Sequence, residues 1–146
     1  ASLLRPMRWF ETRIRGDLVV TVETHTDDGK EATETRIDNF MDGHKVDFVK
    51  NRVAFDLEWN SKDQTFDRDL YAFRAFHEAG VISAAVLLTR SADLNEVFKE
   101  LGIMPKYGAS TTWMGKLLYR VKAGRNGGCP VLVLGITQKL IEDWPQ

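Results

Sequence analysis

The stretch from Val53 to Leu88 constrains the fold more than any other part of the chain. It reads as a strand (Val53–Trp59), an amphipathic helix (Phe66–Ala79) and an almost wholly apolar strand (Val81–Leu88). Phe66, Leu70, Phe73 and Phe76 or His77 recur at the spacing of one helix face, and Gly80 is placed to end the helix. A short strand that is apolar on both faces must be covered on both, which is the situation of an inner strand of a parallel sheet. Strand, helix and strand therefore make a βαβ unit whose strands are parallel neighbours joined by a right-handed crossover. Just upstream, Val46–Val49 lies too close to Val53 for anything but an antiparallel hairpin. The expected fold class is α/β, with a mixed central β-sheet flanked by helices.

The rest of the chain adds elements to that unit. Asp17–Thr24 alternates and is rich in Val and Thr, so it reads as a strand, and Thr26–Lys30 as a turn. Glu31–Phe40 fits helix or strand equally. Ser2–Glu11 reads as a helix broken early at Pro6, Ala92–Leu101 as a second helix, Thr112–Tyr119 as a short one and Pro130–Thr137 as a further buried strand. With 146 residues, 1–146 is expected to form a single domain. The longest apolar run, Ala84–Leu88, is far short of a membrane span, and Ala1–Arg8 holds no signal-peptide core. The single cysteine, Cys129, excludes an internal disulfide and a multi-cysteine zinc site, and it reads as packing at a strand start. A cytoplasmic location without a membrane partner is the expectation. His25, His44 and His77 show no metal-ligand spacing.

Charge is unevenly spread. The formal net charge is −1, yet between Leu101 and Leu140 the chain carries Lys106, Lys116, Arg120, Lys122, Arg125 and Lys139 and no acid. A basic stretch in a domain whose acids lie upstream fits a metal site beside a phosphate-binding surface, and fits a chance asymmetry equally well.

The chemistry concentrates in His44–Asn60. Val46, Phe48, Val53, Phe55, Leu57 and Trp59 recur at period two as an expected core face, and Asp47, Asp56 and Glu58 point the other way. A two-residue turn at Asn51-Arg52 sets Lys50 opposite Val53, Val49 opposite Ala54, Phe48 opposite Phe55, Asp47 opposite Asp56 and Lys45 opposite Glu58. Facing carboxylates ~5 Å apart repel by roughly 3 kcal/mol at an effective dielectric near 20. A cation resolves that repulsion. Oxygen-only, anionic ligands suit Mg²⁺, with Mn²⁺ as a substitute, and the backbone carbonyl of Leu57 is a further candidate ligand. A solvated strand face with a Lys45–Glu58 surface pair, or another register, remains the alternative. A carboxylate-held metal points to phosphodiester hydrolysis, with Asp47, Asp56 and Glu58 as the catalytic and metal-binding candidates.

The same residues resemble a known family. Asp47-x8-Asp56-Leu57-Glu58 resembles the acidic core of the PD-(D/E)xK nucleases. The segments 46–91, KYGASTTWMGKL (106–117) and GGCPVLVLGIT (127–137) resemble the BglII/BstYI-like branch of type II restriction endonucleases, in family order and over about half the chain. The resemblance implies a PD-(D/E)xK restriction-endonuclease-like fold. It implies a homodimeric enzyme of a restriction–modification system that cuts both strands of double-stranded DNA at a short palindromic site, using Mg²⁺, in a prokaryotic or phage-type host cell. By residue match it makes Asp47, Asp56 and Glu58 the catalytic set. The superfamily usually has lysine at the third position, and Glu58 in its place favours a metal-bound water as nucleophile over a lysine-activated one. Relatives bring a further acid from an early helix, for which Glu34 is the candidate here. Trp113 stands where relatives tend to carry histidine, so no role of that histidine transfers. The alternatives are a nuclease-fold module that binds DNA without cutting, and a less specific defence or repair nuclease.

The candidate DNA contacts fall in two groups. Asn60, Ser61 and Lys62 follow the acid-bearing strand, where side chains of these types reach base edges and phosphates. Ser110, Thr111 and Thr112 precede a predicted helix and suit phosphate contacts, as do Lys106, Lys116, Arg120 and Arg125. Each group reads equally well as capping residues or surface charge.

Overall fold

The structure is a computed structural model that describes residues 3–108 and 110–141. Five strands form one mixed sheet in the order β1-β2-β3-β4-β5: β1 (Phe10–Thr26), β2 (Gly29–Lys50), β3 (Val53–Glu58), β4 (Ala84–Arg90) and β5 (Val131–Ile136). β1, β2 and β3 pair antiparallel, and β3, β4 and β5 pair parallel. Three helices accompany them, α1 (Thr65–Glu78), α2 (Leu94–Glu100) and α3 (Met114–Lys122). The βαβ unit expected from Val53–Leu88 is present, with β3 and β4 as parallel neighbours around α1.

The register of the β2–β3 hairpin follows from its turn. Asn51 and Arg52 have φ of 48° and 65°, the left-handed pair that matches the twist of the flanking strands in a two-residue hairpin loop. Lys50 then faces Val53, Val49 faces Ala54 and Phe48 faces Phe55, as expected. Gly80, at φ 72°, takes the chain out of α1. Phe66, Leu70, Phe73 and Phe76 of α1 are buried against Val46, Ala54, Ala85 and Leu87 of the sheet and Leu117 of α3. Cys129 is buried at the start of β5, as expected, and burial pushes its thiol pKa up.

The two faces of the hairpin differ from expectation. In β2, three residue steps from Val46 to Val49 are matched by two steps of β1, so an extra residue is accommodated at Asp47–Phe48. In β2 this bulge turns Val46 to the helix-covered face, whereas β3 runs unbroken beside β4 and simply has α1 on the face opposite to the one expected. Val46 is buried beneath α1, whereas Phe48, Val53, Phe55 and Trp59 are only half-buried and Leu57 is exposed. The helix packs instead on the face carrying Ala54, Asp56 and Glu58, where the small alanine lets it approach. The opposite face holds the rows Phe48–Phe55–Val86–Leu132 and Leu57–Leu88–Leu134, of which Leu57, Leu132 and Leu134 remain open.

Two further expectations are corrected at the N-terminal side. In the described part of Ser2–Glu11 the chain makes only a 3-10 turn at Arg5–Met7 before β1 begins at Phe10; Ser2 lies outside the described residues. Pro6 suits a first helical turn, but nothing buried anchors a longer helix there. Glu31–Phe40 resolves as strand, because it pairs residue by residue with β1 around the turn at Asp27-Asp28. This hairpin is an arm on which every residue from Val19 to Phe40 is exposed. Between Asp17 and Phe40 it carries seven acids and two basic residues. Irregular pairing at its base, with Asn39 and Gly43 at positive φ, bends β2 where it leaves the body.

Candidate active site

Asp56 and Glu58 stand two residues apart on the helix-covered side of β3 and are almost wholly buried, at 4% and 7% exposure. Pairing with β2 ends at Phe55, so the strand carries them free of that ladder. The Asp47 backbone N–H turns in and donates to Asp56 Oδ1 at 2.8 Å, while the Asp47 side chain stands exposed on the bulge. On the other side of β3, the Thr89 hydroxyl donates to the Glu58 backbone carbonyl at 2.7 Å, tying the acid-bearing end to β4.

α1 adds a residue that the sequence reading missed. Asp69 is buried, at 3% exposure. The Arg68 guanidinium donates to Asp69 Oδ1 from Nε at 3.2 Å and Nη2 at 3.0 Å, and the same Nη2 is 3.8 Å from Glu58 Oε1. Burial pushes the Asp56 carboxyl up to about 7, against the Asp47 amide; the charges of Asp47 and Glu58 raise it further and Arg68 lowers it. Burial likewise raises Asp69 to about 8, reinforced by the charges of Asp56 and Glu58. A signal for Asp69 was present in the sequence: an acid three residues after Phe66 and four before Phe73, inside an apolar stripe.

An open groove of about 270 Å³ is lined by Gly43, His44, Lys45, Asp47, Arg68 and Ala72, so that of the acids Asp47 lines it and Arg68 links it to Glu58 and Asp69. The donor set of the acids is hard oxygen, and their negative charge exceeds the single guanidinium beside them. That chemistry fits a divalent cation. As they stand, no three His, Cys, Asp or Glu side chains among the described residues are arranged as a ready metal cage.

The two groups of DNA candidates meet. Lys62 and Thr111 form an isolated antiparallel bridge, the Asp63 N–H donates to the Ser110 carbonyl at 2.8 Å, and the Thr112 N–H donates to the Ser61 carbonyl at 2.8 Å. Asn60, Ser61, Lys62 and Ser110 are exposed along this junction, and Lys106 is exposed on the preceding 3-10 turn. Arg90, a second missed residue, holds the junction from beneath. It is fully buried at the end of β4 and donates to the Thr112 carbonyl at 2.9 Å, the Tyr107 carbonyl at 3.0 Å, Asn95 Oδ1 at 2.8 Å and the Thr111 hydroxyl. Its guanidinium also lies 5.5 Å from the Phe98 ring centroid and 5.7 Å from that of Tyr107. A cation closing an otherwise apolar strand was its trace in the sequence.

Several candidates are placed elsewhere. Glu34 pairs with Thr21 on the arm, thirteen residues along β2 from Asp47, which is roughly 40 Å of extended strand. It belongs to no helix and is not beside the acids. Lys45 faces Arg13, and its ammonium pairs with Glu11 instead of Glu58. Thr112 is fully buried, so its side chain is not a DNA contact. Arg120 is buried too, with Nε 3.0 Å from Asp67 Oδ2 and Nη2 3.4 Å from Asp63 Oδ2. It ties α3 to α1 and is not available to a phosphate. Arg125 pairs with Asp67, and Lys116 lies 3.8 Å from Asp63, so both are partly committed to the same brace.

Among the described residues, no helix is long and apolar enough to cross a membrane. No curated protein matches the chain. A family model described as "Restriction endonuclease BglII/BglIII" matches residues 1–136, nearly the full length. The five-stranded mixed sheet with three helices is consistent with that family's fold. Restriction endonucleases act on DNA and generally use a divalent metal. The chain belongs to the BglII restriction endonuclease family, the type II site-specific deoxyribonucleases.

Proposed function

We propose that this enzyme hydrolyses both strands of double-stranded DNA at a short palindromic site, as a homodimer, with Mg²⁺ as its metal and Mn²⁺ as a substitute. The observation that carries this reading is the burial of Asp56 and Glu58 two residues apart on one face of β3, bonded or paired to Asp47 and Arg68, which line an open groove. Asp56 and Glu58 would hold the metal, with the Asp47 side chain and the Leu57 carbonyl completing the protein's share. When bound, the metal supplies an activated water and a counter-charge for the scissile phosphate. Glu58 takes up the proton lost by the attacking water at a carboxylate oxygen. The Asp47 amide holds the Asp56 carboxylate in place.

The junction of Asn60–Lys62 with Ser110–Thr111 is the surface from which DNA is read, because its exposed side chains suit base edges and phosphates. A palindromic site calls for two copies related by a two-fold axis. The enzyme acts in the cytoplasm of a prokaryotic or phage-type host cell.

The test is incubation with plasmid DNA of varied sequence in Mg²⁺, followed by sequencing of the fragment ends. Discrete fragments with a common palindromic end are expected, and Asp56→Asn should slow their appearance by about 10²- to 10³-fold. A smear of random ends would overturn the site-specific reading. Bound but intact DNA at every metal concentration would overturn the hydrolytic one.

A further inference from the structure

We infer that Asp69 is a further positioning carboxylate of the metal site, facing the cation that Asp56 and Glu58 hold, and that Arg68 is the counter-charge occupying that place until the cation arrives. The inference rests on the metal reading above.

A buried carboxylate normally has partners for both oxygens, because an orphaned charge in a low-dielectric interior is costly. Asp69 meets that requirement at one oxygen only. Its Oδ1 takes both bonds from Arg68, and its Oδ2 is buried with no hydrogen-bond partner in the structure. Asp67, two residues earlier on the same helix, shows what a structural acid looks like there: Arg125 bonds its Oδ1 and Arg120 its Oδ2.

Packing supplies no reason for an aspartate at 69 either. The position lies between Phe66 and Phe73 on the core face of α1, where the neighbouring buried positions are apolar. An asparagine would still accept the Arg68 bond without adding a third charge to those of Asp56 and Glu58. What the carboxylate offers beyond these is negative charge toward the other two acids.

Arg68 behaves as a removable partner. It reaches both Asp69 and Glu58, yet its side chain is 74% exposed, so water can solvate it once it leaves. A guanidinium that reaches two carboxylates supplies positive charge where a bound cation would supply it, so the two must compete.

The test uses the full chain stripped with EDTA and titrated with Mn²⁺, read by calorimetry and by thermal melting without DNA. In the wild type Mn²⁺ should bind and raise the melting temperature. Asp69→Asn should melt in EDTA at or above the wild-type temperature, because like-charge repulsion is relieved, and should bind Mn²⁺ about 10- to 100-fold more weakly. Arg68→Gln, a change at an exposed side chain, should bind Mn²⁺ several-fold more tightly. Asp69→Asn melting lower in EDTA with unchanged Mn²⁺ affinity would make Asp69 a structural residue and overturn the inference. Unchanged affinity in Arg68→Gln would overturn the role of Arg68. Loss of binding in Asp56→Asn with wild-type binding in Asp69→Asn would leave the metal reading standing and refute this one; absence of Mn²⁺ uptake by the wild type would refute both.

Discussion

Helix α1 stands between two acid clusters, to which it contributes Asp67 and Asp69, and they are treated in opposite ways. Toward its start, Asp63 and Asp67 meet Lys116, Arg120 and Arg125 from α3 and the segment after it. There burial raises the Asp67 carboxyl, but the Arg125 and Arg120 bonds outweigh it and hold the group below the usual carboxylate range. Two residues on, Asp69 lies with Asp56 and Glu58 and meets only an exposed arginine, and both aspartates are pushed up. The first cluster is a closed brace between two helices. The second is a deficit of positive charge built into a rigid strand and helix. Residue type does not distinguish them; the supply of counter-charge does.

The largest expected effect comes from opening the brace. Arg120→Met should destabilise the fold by about 2–4 kcal/mol, since it leaves Asp63 and half of Asp67 without their buried partner. Urea unfolding of the metal-free protein would measure it, and a change within error would mean that the two clusters are energetically alike.

The second effect is a pH dependence of opposite origin. Asp56 and Asp69 have folded-state values of about 7 and about 8, above the ordinary 3.8. The folded state therefore binds more protons than the unfolded one between pH 4 and 8, so stability is greatest near pH 4 and is lost as pH rises through that window. In EDTA the melting temperature should therefore fall from pH 5 to pH 8. Saturating Mg²⁺ should flatten the profile. A melting temperature that rises from pH 5 to 8 in EDTA would contradict the charge-deficit account.

The smallest effect sharpens the brace itself. Arg125 is half-exposed, so Arg125→Ala should cost about 1 kcal/mol or less and should fade in high salt. A cost as large as that of Arg120→Met would mean that burial does not set the strength of these pairs.

The elements were legible where local rules govern them. The stripe in α1, the glycine after it and the turn at Asn51-Arg52 each depend on neighbours in sequence, and each is where the pattern puts it. The face assignment of the hairpin was not legible, because period-two alternation in β3 separates two faces without saying which of them α1 covers. In β2 the extra residue at Asp47–Phe48 also shifts the phase of Val46, through the match to β1, a long-range partner. Asp56 and Glu58 were legible as a pair, but not their burial. Asp69 and Arg90 were overlooked for a common reason: each is a charge within an apolar pattern, and such patterns are read by their majority. The basic stretch misled in part because Arg120 and Arg125 answer acids on α1, which only the packing of α3 reveals.

The arm has a consequence for how DNA arrives. With DNA read at the proposed junction, a polyanion should be turned away from the extended ribbon between Asp17 and Phe40, whose acids outnumber its bases, and favoured at the exposed Lys62 and Lys106. Encounters are thereby sorted by orientation before any base is touched. Association should slow as added salt blurs the contrast between the two ends.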